Sequence, residues 1–438
     1  MTKSTHKLPK LLLRVVMFAL LLCFGSGAAL AQTRGYVTNA QDNTVSVIDT
    51  TTASVIATVP VGSSPSAVAV TPNGRFAYVT NFFGNSVSVI SAASNTVVAT
   101  VPLGTSARGI AMNPNGSFAY VMGSTSANIS VIDTATNTVV SAIPVSFPSK
   151  LAIAPSGNLG YVTHGAFIKG VTVINTATNS VVTHIPIPVD VTDAPAVTPD
   201  GAFLYVTCSS FSTGPKLAVI DTATNTIVAL VPLPGNFAPG VAITPNGAFA
   251  YVANNGGGVC CEGGRLPSSV SVIDTATNTE VANVPFGSLS PFGVAVTPDG
   301  AFVYVTDLSD NTVKVISTAF NFVVAVVQVG SFPQSIAIGT FVPEPEPEPE
   351  PDPIESLIDQ VEALIADGAL TQDQGSGLLN KIQEVSAKID AGQTAAACNQ
   401  LNSFINQVNG FISNGTLTPA QGQPPIATAN ALRSNLGC

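Results

Sequence analysis

A Tyr-Val pair that returns every 41 to 53 residues constrains the fold of this chain more than any other feature. A Ser-Val-Ile-Asp-Thr segment, or a variant of it, follows each pair by 12 to 22 residues. The seven pairs begin at Tyr36, Tyr78, Tyr120, Tyr161, Tyr205, Tyr251 and Tyr304. Repeats of about 40–45 residues with four short strands each are typical of β-propeller blades. The sequence therefore predicts an all-β, seven-bladed propeller over residues 32–342.

Each repeat contains four short runs rich in Val, Ile, Tyr and Thr, which we name strands A, B, C and D in chain order. In the second repeat they are predicted at residues 67–70, 76–80, 86–90 and 96–101. Thr-Pro-Asn-Gly turns join A to B, because Asn-Gly supplies the positive φ that tight turns need. One large β-sandwich is the alternative. The ring begins with a strand B and ends with a strand A at 335–338, so one blade is predicted to combine both ends.

The repeat carries a family resemblance. The segment Tyr78-Val79-Thr80-Asn81, followed by Ser-Val-Ser-Val-Ile, resembles the YVTN repeat of bacterial and archaeal surface-layer-type β-propellers. The resemblance covers about residues 34–341. It implies the propeller fold and leaves the function open, since propellers serve many functions.

The N-terminus has the pattern of an export signal. The basic residues Lys3, Lys7, Lys10 and Arg14 lie before or near the start of an apolar run at 11–24, and Ala-Leu-Ala at 29–31 forms a cleavage site. The pattern predicts a signal peptide over residues 1–31, and a mature chain without a transmembrane segment that is secreted, at the cell surface or in the periplasm. The mature chain keeps 15 − 4 = 11 basic and 25 acidic residues, a net charge of −14. This balance excludes nucleic acid as an expected partner, because binding it depends on Lys and Arg contacts to phosphate.

One face of the ring varies far more than the other. The extra residues of the longer repeats lie almost entirely between strands B and C. The B–C and D–A loops share one face, which we name the loop face, and binding groups gather on such loops. Five candidate ligand-binding residues lie near the starts of A strands, and a sixth ends a B strand on the same face; they are Arg108, Lys150, Asp193, Phe292, Gln334 and His164. The alternative is that these are solvated loop residues without a ligand.

The sequence offers little for catalysis. It contains no nucleophile elbow, P-loop, dinucleotide fingerprint or zinc-spaced Cys/His set, so we predict no cofactor and no metal. Asp190 and Asp193 share one loop and suit Ca²⁺ in part, but two carboxylates alone do not predict a metal site. Propeller lactonases, the nearest enzymes by fold, carry His, Glu and Arg in the channel, and here only Arg108 corresponds. We therefore predict non-catalytic binding of an extracellular polysaccharide or surface protein, with a lactonase-type hydrolase as the alternative.

The longest B–C insertion, residues 254–269, contains adjacent cysteines. Cys208 ends a strand B one blade earlier on the same face. We expect Cys208 to pair with Cys260 or Cys261, and a bridge between Cys260 and Cys261 is the alternative. Export makes such disulfides permissible.

The C-terminal part is predicted to be a separate module. Residues 343–353 alternate Pro with acidic residues and form a semi-rigid spacer of roughly 34 Å at about 3.1 Å per residue. Residues 354–438 switch to helical periodicity, with four apolar stripes. Short loops between them predict an antiparallel four-helix bundle.

The tail also carries a resemblance. The segment from Phe404 to Asn409, with Gly415 and Leu417 beyond it, resembles the FIMAH-type domain of secreted bacterial proteins, which implies an accessory module that binds outside the cell. The chain departs from that pattern at Pro424-Pro425, so the fourth helix is predicted to be kinked or to start late.

A disulfide is predicted in the same bundle. Cys398 opens the third predicted helix and Cys438 follows the fourth. If these helices run antiparallel the two ends meet, and a disulfide between the two cysteines is expected.

Overall fold

The computed structural model describes residues 31–124, 127–165, 168–210, 212–256, 267–287, 290–342 and 352–438. Residues 1–30 of the predicted signal peptide and most of the predicted linker lie outside them. The described residues form two compact units, one of seven four-stranded sheets and one of four helices. This is the predicted fold, a seven-bladed propeller with a small helical domain.

The innermost strand of each sheet is the predicted strand A, and neighbouring A strands pack against one another around the ring. The A strands are β4 (Pro65–Val70), β8 (Ala107–Met112), β12 (Lys150–Ile153), β16 (Val191–Val197), β20 (Phe237–Ile243), β24 (Pro291–Val296) and β28 (Pro333–Phe341). The B strands are β1 (Gln32–Asn39), β5 (Phe76–Asn81), β9 (Phe118–Gly123), β13 (Leu159–Thr163), β17 (Phe203–Ser210), β21 (Phe249–Asn255) and β25 (Phe302–Asp307).

The third and fourth strands complete each blade. The C strands are β2 (Thr44–Asp49), β6 (Ser86–Ser91), β10 (Asn128–Asp133), β14 (Val171–Asn175), β18 (Gly214–Asp221), β22 (Ser269–Asp274) and β26 (Thr312–Ser317). The outermost D strands are β3 (Ser54–Pro60), β7 (Thr96–Pro102), β11 (Thr138–Pro144), β15 (Ser180–Ile185), β19 (Thr226–Pro232), β23 (Thr279–Pro285) and β27 (Phe322–Gln328). We number the blades from β28–β1–β2–β3 as blade 1 to β24–β27 as blade 7.

Blade 1 closes the ring as predicted. β28 pairs antiparallel with β1, from Gln32 opposite Phe341 to Asn39 opposite Pro333. β28 also packs against the inner strands on both sides, β4 and β24. Gly74, in the A–B turn of blade 2, has a φ of +68° and approaches β28 closely. A Cβ on Gly74 would lie 1.8 Å from the carbonyl oxygen of Thr340, so only glycine fits there.

The tyrosines of the repeat connect neighbouring blades. All seven are buried, and several donate a hydrogen bond from the hydroxyl to an asparagine in the C–D turn of the next blade. The bonded pairs are Tyr78 with Asn137 at 2.6 Å, Tyr205 with Asn278 at 2.7 Å and Tyr251 with Asn321 at 2.9 Å. These asparagines have a φ of 53–54°, a conformation that Asn tolerates better than most residues. The repeated Asn therefore both forms the turn and receives the tyrosine of the preceding blade.

The helical unit is a four-helix bundle. Its helices are α1 (Pro353–Ala366), α2 (Gln372–Asp390), α3 (Thr394–Ser413) and α4 (Pro419–Asn435). Each packs against the next, and α1 packs against α4. Gly368, Gly392 and Gly415 follow the first three helices with positive φ, the usual conformation of a helix-ending glycine. None of the described helices has the length and apolar character needed to cross a membrane.

The predicted Cys398–Cys438 disulfide is present, with Cα atoms 5.9 Å apart. The expectation of a late fourth helix was wrong, because α4 begins at Pro419 and continues through both prolines. The Gln421 side chain accepts a hydrogen bond from the backbone N–H of Thr418 and so caps the first turn. The buried side chains of α4 then pack into the shared core, and tertiary packing outweighs the poor helix propensity of proline.

Candidate functional site

The side chains at the mouth of the channel are placed by a β-bulge that recurs near the start of the inner strands. In six blades the register between strands A and B shifts there, so the inner strand has one more residue than its partner. Bulges redirect side chains and are common beside functional sites. The bulges contain Ser66, Arg108, Asp193, Pro239, Phe292 and Gln334.

The threonine that follows Tyr-Val supports these bulges. In several blades its hydroxyl oxygen accepts a hydrogen bond from a backbone N–H of the bulged strand. The bonds join Thr80 to Ala67 at 2.9 Å, Thr207 to Ala194 at 2.9 Å and Thr306 to Gly293 at 2.7 Å. A buried N–H needs such a partner, so the threonine stabilises the irregular backbone that aims residues at the channel.

A cavity of about 660 Å³ lies at the channel mouth on the loop face. Five of the six predicted ligand-binding residues line it, namely Arg108, Lys150, Asp193, Phe292 and Gln334. Four phenylalanines also line it, namely Phe82, Phe83, Phe237 and Phe292. The volume lies in the range of about 300–1,000 Å³ that is usual for small-molecule sites.

Lys150 connects four blades across this cavity. Its Nζ lies 3.0 Å from Asp193 Oδ1 and donates a hydrogen bond of 2.6 Å to the carbonyl oxygen of Pro239. The same Nζ lies 5.5 Å from the ring centroid of Phe292, within cation–π distance. Asp193 is thereby neutralised by an ion pair. These contacts require inner strands of blades 4 to 7 to meet around the channel, so no local pattern in the sequence reveals them.

Arg108 differs from Lys150 because its charge is not compensated. Its side chain is exposed at the cavity, and within the described part of the chain it has no ion pair or hydrogen-bond partner. Arg108, Lys150 and Asp193 are the charged residues of the described lining, so the cavity carries a surplus of 2 − 1 = +1. The whole chain has a formal charge of −10, so the mouth is locally positive on an acidic protein.

His164, the sixth candidate, is not among the residues that line this cavity, so a role in ligand binding stays a prediction. It is 2% exposed and lies at the end of the second strand of blade 4. One ring nitrogen, Nε2, lies 2.8 Å from Thr172 Oγ1 on β14, and the other lies 2.8 Å from the carbonyl oxygen of Ser146. Thr172 Oγ1 is also 3.3 Å from His184 Nδ1 on β15, so both histidines of the described residues belong to one hydrogen-bonded chain.

The repeat position of His164, directly after the threonine that follows Tyr-Val, also connects strands B and C in other blades. Its asparagines donate hydrogen bonds to serines of strand C, from Asn39 to Ser46 at 2.9 Å, from Asn81 to Ser88 at 2.9 Å and from Asn254 to Ser271 at 2.7 Å. In blade 7 the buried Asp307 forms an ion pair of 3.0 Å with Lys314 of β26. In these blades the variation at this position therefore reflects different pairs between strands B and C.

We predict that His164 makes the propeller less stable in acid. Burial, reinforced by the charge of His184, lowers the pKa of His164 below its usual 6.5. In the unfolded chain His164 binds a proton near pH 6.5, whereas in the folded chain it does so only at lower pH. The free energy of unfolding is therefore unaffected by His164 above about pH 6.5 and falls as the pH drops below it, by at most about 1.4 kcal/mol per pH unit.

The measurement is urea unfolding between pH 7.5 and 5.0. His164→Asn introduces the residue found at this position in blades 1, 2 and 6, and it should flatten the acid loss relative to the natural chain. His184→Asn is the comparison variant, because it removes the charge of His184 but keeps the burial of His164, the larger cause, and so should reduce the acid loss only in part. An equal slope in the His164→Asn variant would contradict the assignment.

The remaining candidates do not form a shared site in the described residues. Asp190 pairs with Lys169 at 3.0 Å while Asp193 pairs with Lys150, so the two carboxylates have separate partners. Cys208 is buried and has no disulfide partner among the described residues, and burial raises the pKa of its thiol to about 11. Both predicted partners, Cys260 and Cys261, lie outside the described residues, so that pairing stays a prediction.

Two family models match parts of the chain. The model described as a lactonase, 7-bladed β-propeller, matches residues 31–142, and the FIMAH domain model matches residues 354–433. No curated protein matches the chain. The first match includes Arg108, and neither match extends to half of the chain. The surface-layer resemblance of the repeats stays a prediction.

Solved structures share the propeller fold at low sequence identity. Hydrazine synthase of Kuenenia stuttgartiensis is 21% identical, with a TM-score of 0.57 over 64% of this chain and 96% of that chain. A functionally unknown protein from Desulfotomaculum acetoxidans DSM 771 is 18% identical, with a TM-score of 0.59 over 70% and 98%. The dihydro-heme d1 dehydrogenase NirN is 17% identical, with a TM-score of 0.50 over 67% and 63%. At this identity the likeness shows the fold alone. The chain thus carries a seven-bladed β-propeller, similar in its first repeats to the lactonase type, and a C-terminal helical domain that matches the FIMAH domain.

Proposed function

We propose that this is an extracellular or cell-surface protein whose propeller binds a polysaccharide or surface protein without chemical turnover. The observation that carries the proposal is the uncompensated charge of Arg108 in an open cavity lined by aromatic rings. The fold does not require that charge, because the guanidinium of Arg108 has no ion pair or hydrogen bond to the described residues. Rigid scaffolds that present such groups are suited to recognition.

The arrangement of the cavity supports binding over catalysis. A general base must be free to take a proton from the substrate. Asp193 is the carboxylate of the described lining, and its ion pair with Lys150 occupies it. The two histidines lie in the hydrogen-bonded chain of blade 4. The groups that remain accessible at the mouth, Arg108 and the phenylalanines, are suited to holding a ligand.

A second candidate is a hydrolase of the lactonase type. The observation in its favour is the lactonase family match over residues 31–142, which contains Arg108. In such an enzyme Arg108 would stabilise the negative charge that develops on the carbonyl oxygen of the lactone.

The test is a binding screen of the full-length protein against immobilised polysaccharides and cell-surface extracts. Arg108→Glu should weaken binding to the captured partner at least about tenfold, because it replaces an attraction by a repulsion. Arg75→Glu is the matched control, since Arg75 is an exposed arginine in an A–B turn on the opposite face. Binding that both variants lose equally would contradict the cavity as the site. Lactone hydrolysis that Arg108→Glu abolishes and Arg75→Glu preserves would favour the hydrolase.

A further inference from the structure

The ligand class can be narrowed from the chemistry of the cavity mouth. We propose that the cavity binds a carbohydrate chain whose sugars carry carboxylate groups, such as a uronic acid oligomer. This inference rests on the proposed binding function and names its ligand.

The charged side chains of the described cavity lining leave one positive charge without a partner. Lys150 and Asp193 neutralise each other at 3.0 Å, which leaves Arg108 as the surplus cation of the described lining. Lys150 also donates to Pro239, so it is engaged on the protein side. A guanidinium presents two parallel N–H donors that match a carboxylate better than any neutral group. The ligand therefore supplies an acidic group to Arg108.

An exposed aromatic ring lines the same cavity as Arg108. Phe83 is 71% exposed in the B–C loop of blade 2, and its ring packs edge to face on Phe82 with centroids 4.9 Å apart. The ring of Phe83 is thus held in place while one surface stays open. Exposed apolar groups at a binding mouth mark a contact site, and an open ring accepts the apolar face of a sugar.

Arg108 and Phe83 line the same cavity, so one ligand is able to contact both the guanidinium and the ring. A uronic acid carries a carboxylate at the edge of its pyranose ring, hydroxyls around the ring, and C–H groups that form an apolar face. The hydroxyls suit the polar atoms of the bulges, where Ser66 and Gln334 lie. An acidic peptide would satisfy Arg108 but would bring no ring to Phe83.

The test is calorimetric titration of the full-length protein with three probes in calcium-free buffer. The probes are oligogalacturonate, its fully methyl-esterified form and an oligoglutamate of equal charge. We expect oligogalacturonate to bind and each of the other two to bind at least about tenfold more weakly. Equal binding of the methyl ester would overturn the requirement for an acidic group. Equal binding of oligoglutamate would overturn the carbohydrate class in favour of an acidic peptide.

Single substitutions test the proposed ligand contacts of Arg108 and Phe83 separately. Arg108→Gln should weaken oligogalacturonate binding about tenfold or more, and Phe83→Ala should weaken it by several fold. Arg75→Gln and Phe320→Ala are the controls, because Phe320 is also 71% exposed but lies in a C–D turn at the far end of the blade. Unchanged binding in either test variant would overturn the assigned contact. If no uronic acid oligomer binds while the screen yields another partner sensitive to Arg108→Glu, the ligand class is wrong and the proposed function stands.

Discussion

Deleting residues 333–342 should abolish cooperative unfolding of the propeller and leave the protein aggregated. The deletion removes β28, whose contacts with β1, β4 and β24 hold blade 1 and close the ring. The buried side chains of Ile336 and Phe341 would be lost, the edge of β1 would be unpaired, and β4 and β24 would lose their packing against β28. A typical domain is stable by only about 5–15 kcal/mol in total, so the loss of a whole inner strand is expected to unfold the ring.

The measurement is thermal unfolding followed by far-UV circular dichroism, with the soluble fraction recorded after expression. A truncation after residue 342 is the control, since it keeps β28 and should retain the strand transition. A deletion variant that stayed soluble with the midpoint of this control would show that the ring does not depend on blade 1 closure.

Removing the disulfide should destabilise the helical domain by about 4 kcal/mol. The bond joins residues 40 positions apart, and closing a loop of that length lowers the entropy of the unfolded chain by about this amount. The effect is large for this domain, because α4 carries two prolines that weaken its own hydrogen bonding.

The double substitution Cys398→Ser and Cys438→Ser tests this by urea unfolding monitored through the helical signal. Reduction of the natural protein should produce the same shift. Cys208→Ala is the control, because it removes a cysteine from the propeller and should leave the helical transition in place. A double variant within about 1 kcal/mol of the natural protein would show that the bundle does not need the bond.

The repeats were sufficient to predict the blade count, the closing blade and the face that bears the cavity. The spacing of the sequence repeat determines where each strand starts, and the four strands of each blade pair in the same order. The sequence also identified Arg108 and Phe292 correctly as mouth residues, since both occupy one repeat position. It did not reveal that this position is a bulge, because the shift in register arises from pairing with strand B.

Sequence reasoning failed where a residue depends on a partner in another strand or blade. His164 occupies a loop-facing position in the repeat, yet its burial follows from Thr172 on the neighbouring strand. The interaction of Lys150 with Asp193 and Pro239 depends on the spacing of inner strands across the channel. The prolines of α4 follow the same rule, because the low helix propensity of proline is a local property, whereas the packing that holds the helix involves the rest of the bundle.

Blade 1 combines the first three strands of the ring with its last strand, so its four strands are available only after the whole ring has been synthesised. β1, β2 and β3 are the first strands to be synthesised, and β28 is the last strand of the ring. The pairing of Gln32 with Phe341 joins residues 309 positions apart, a contact of very high sequence separation. Such contacts form late and slow folding, because the chain between them must first be ordered. Until β28 has been synthesised the edge of β1 has no partner strand, and an unpaired edge is a site where chains associate wrongly.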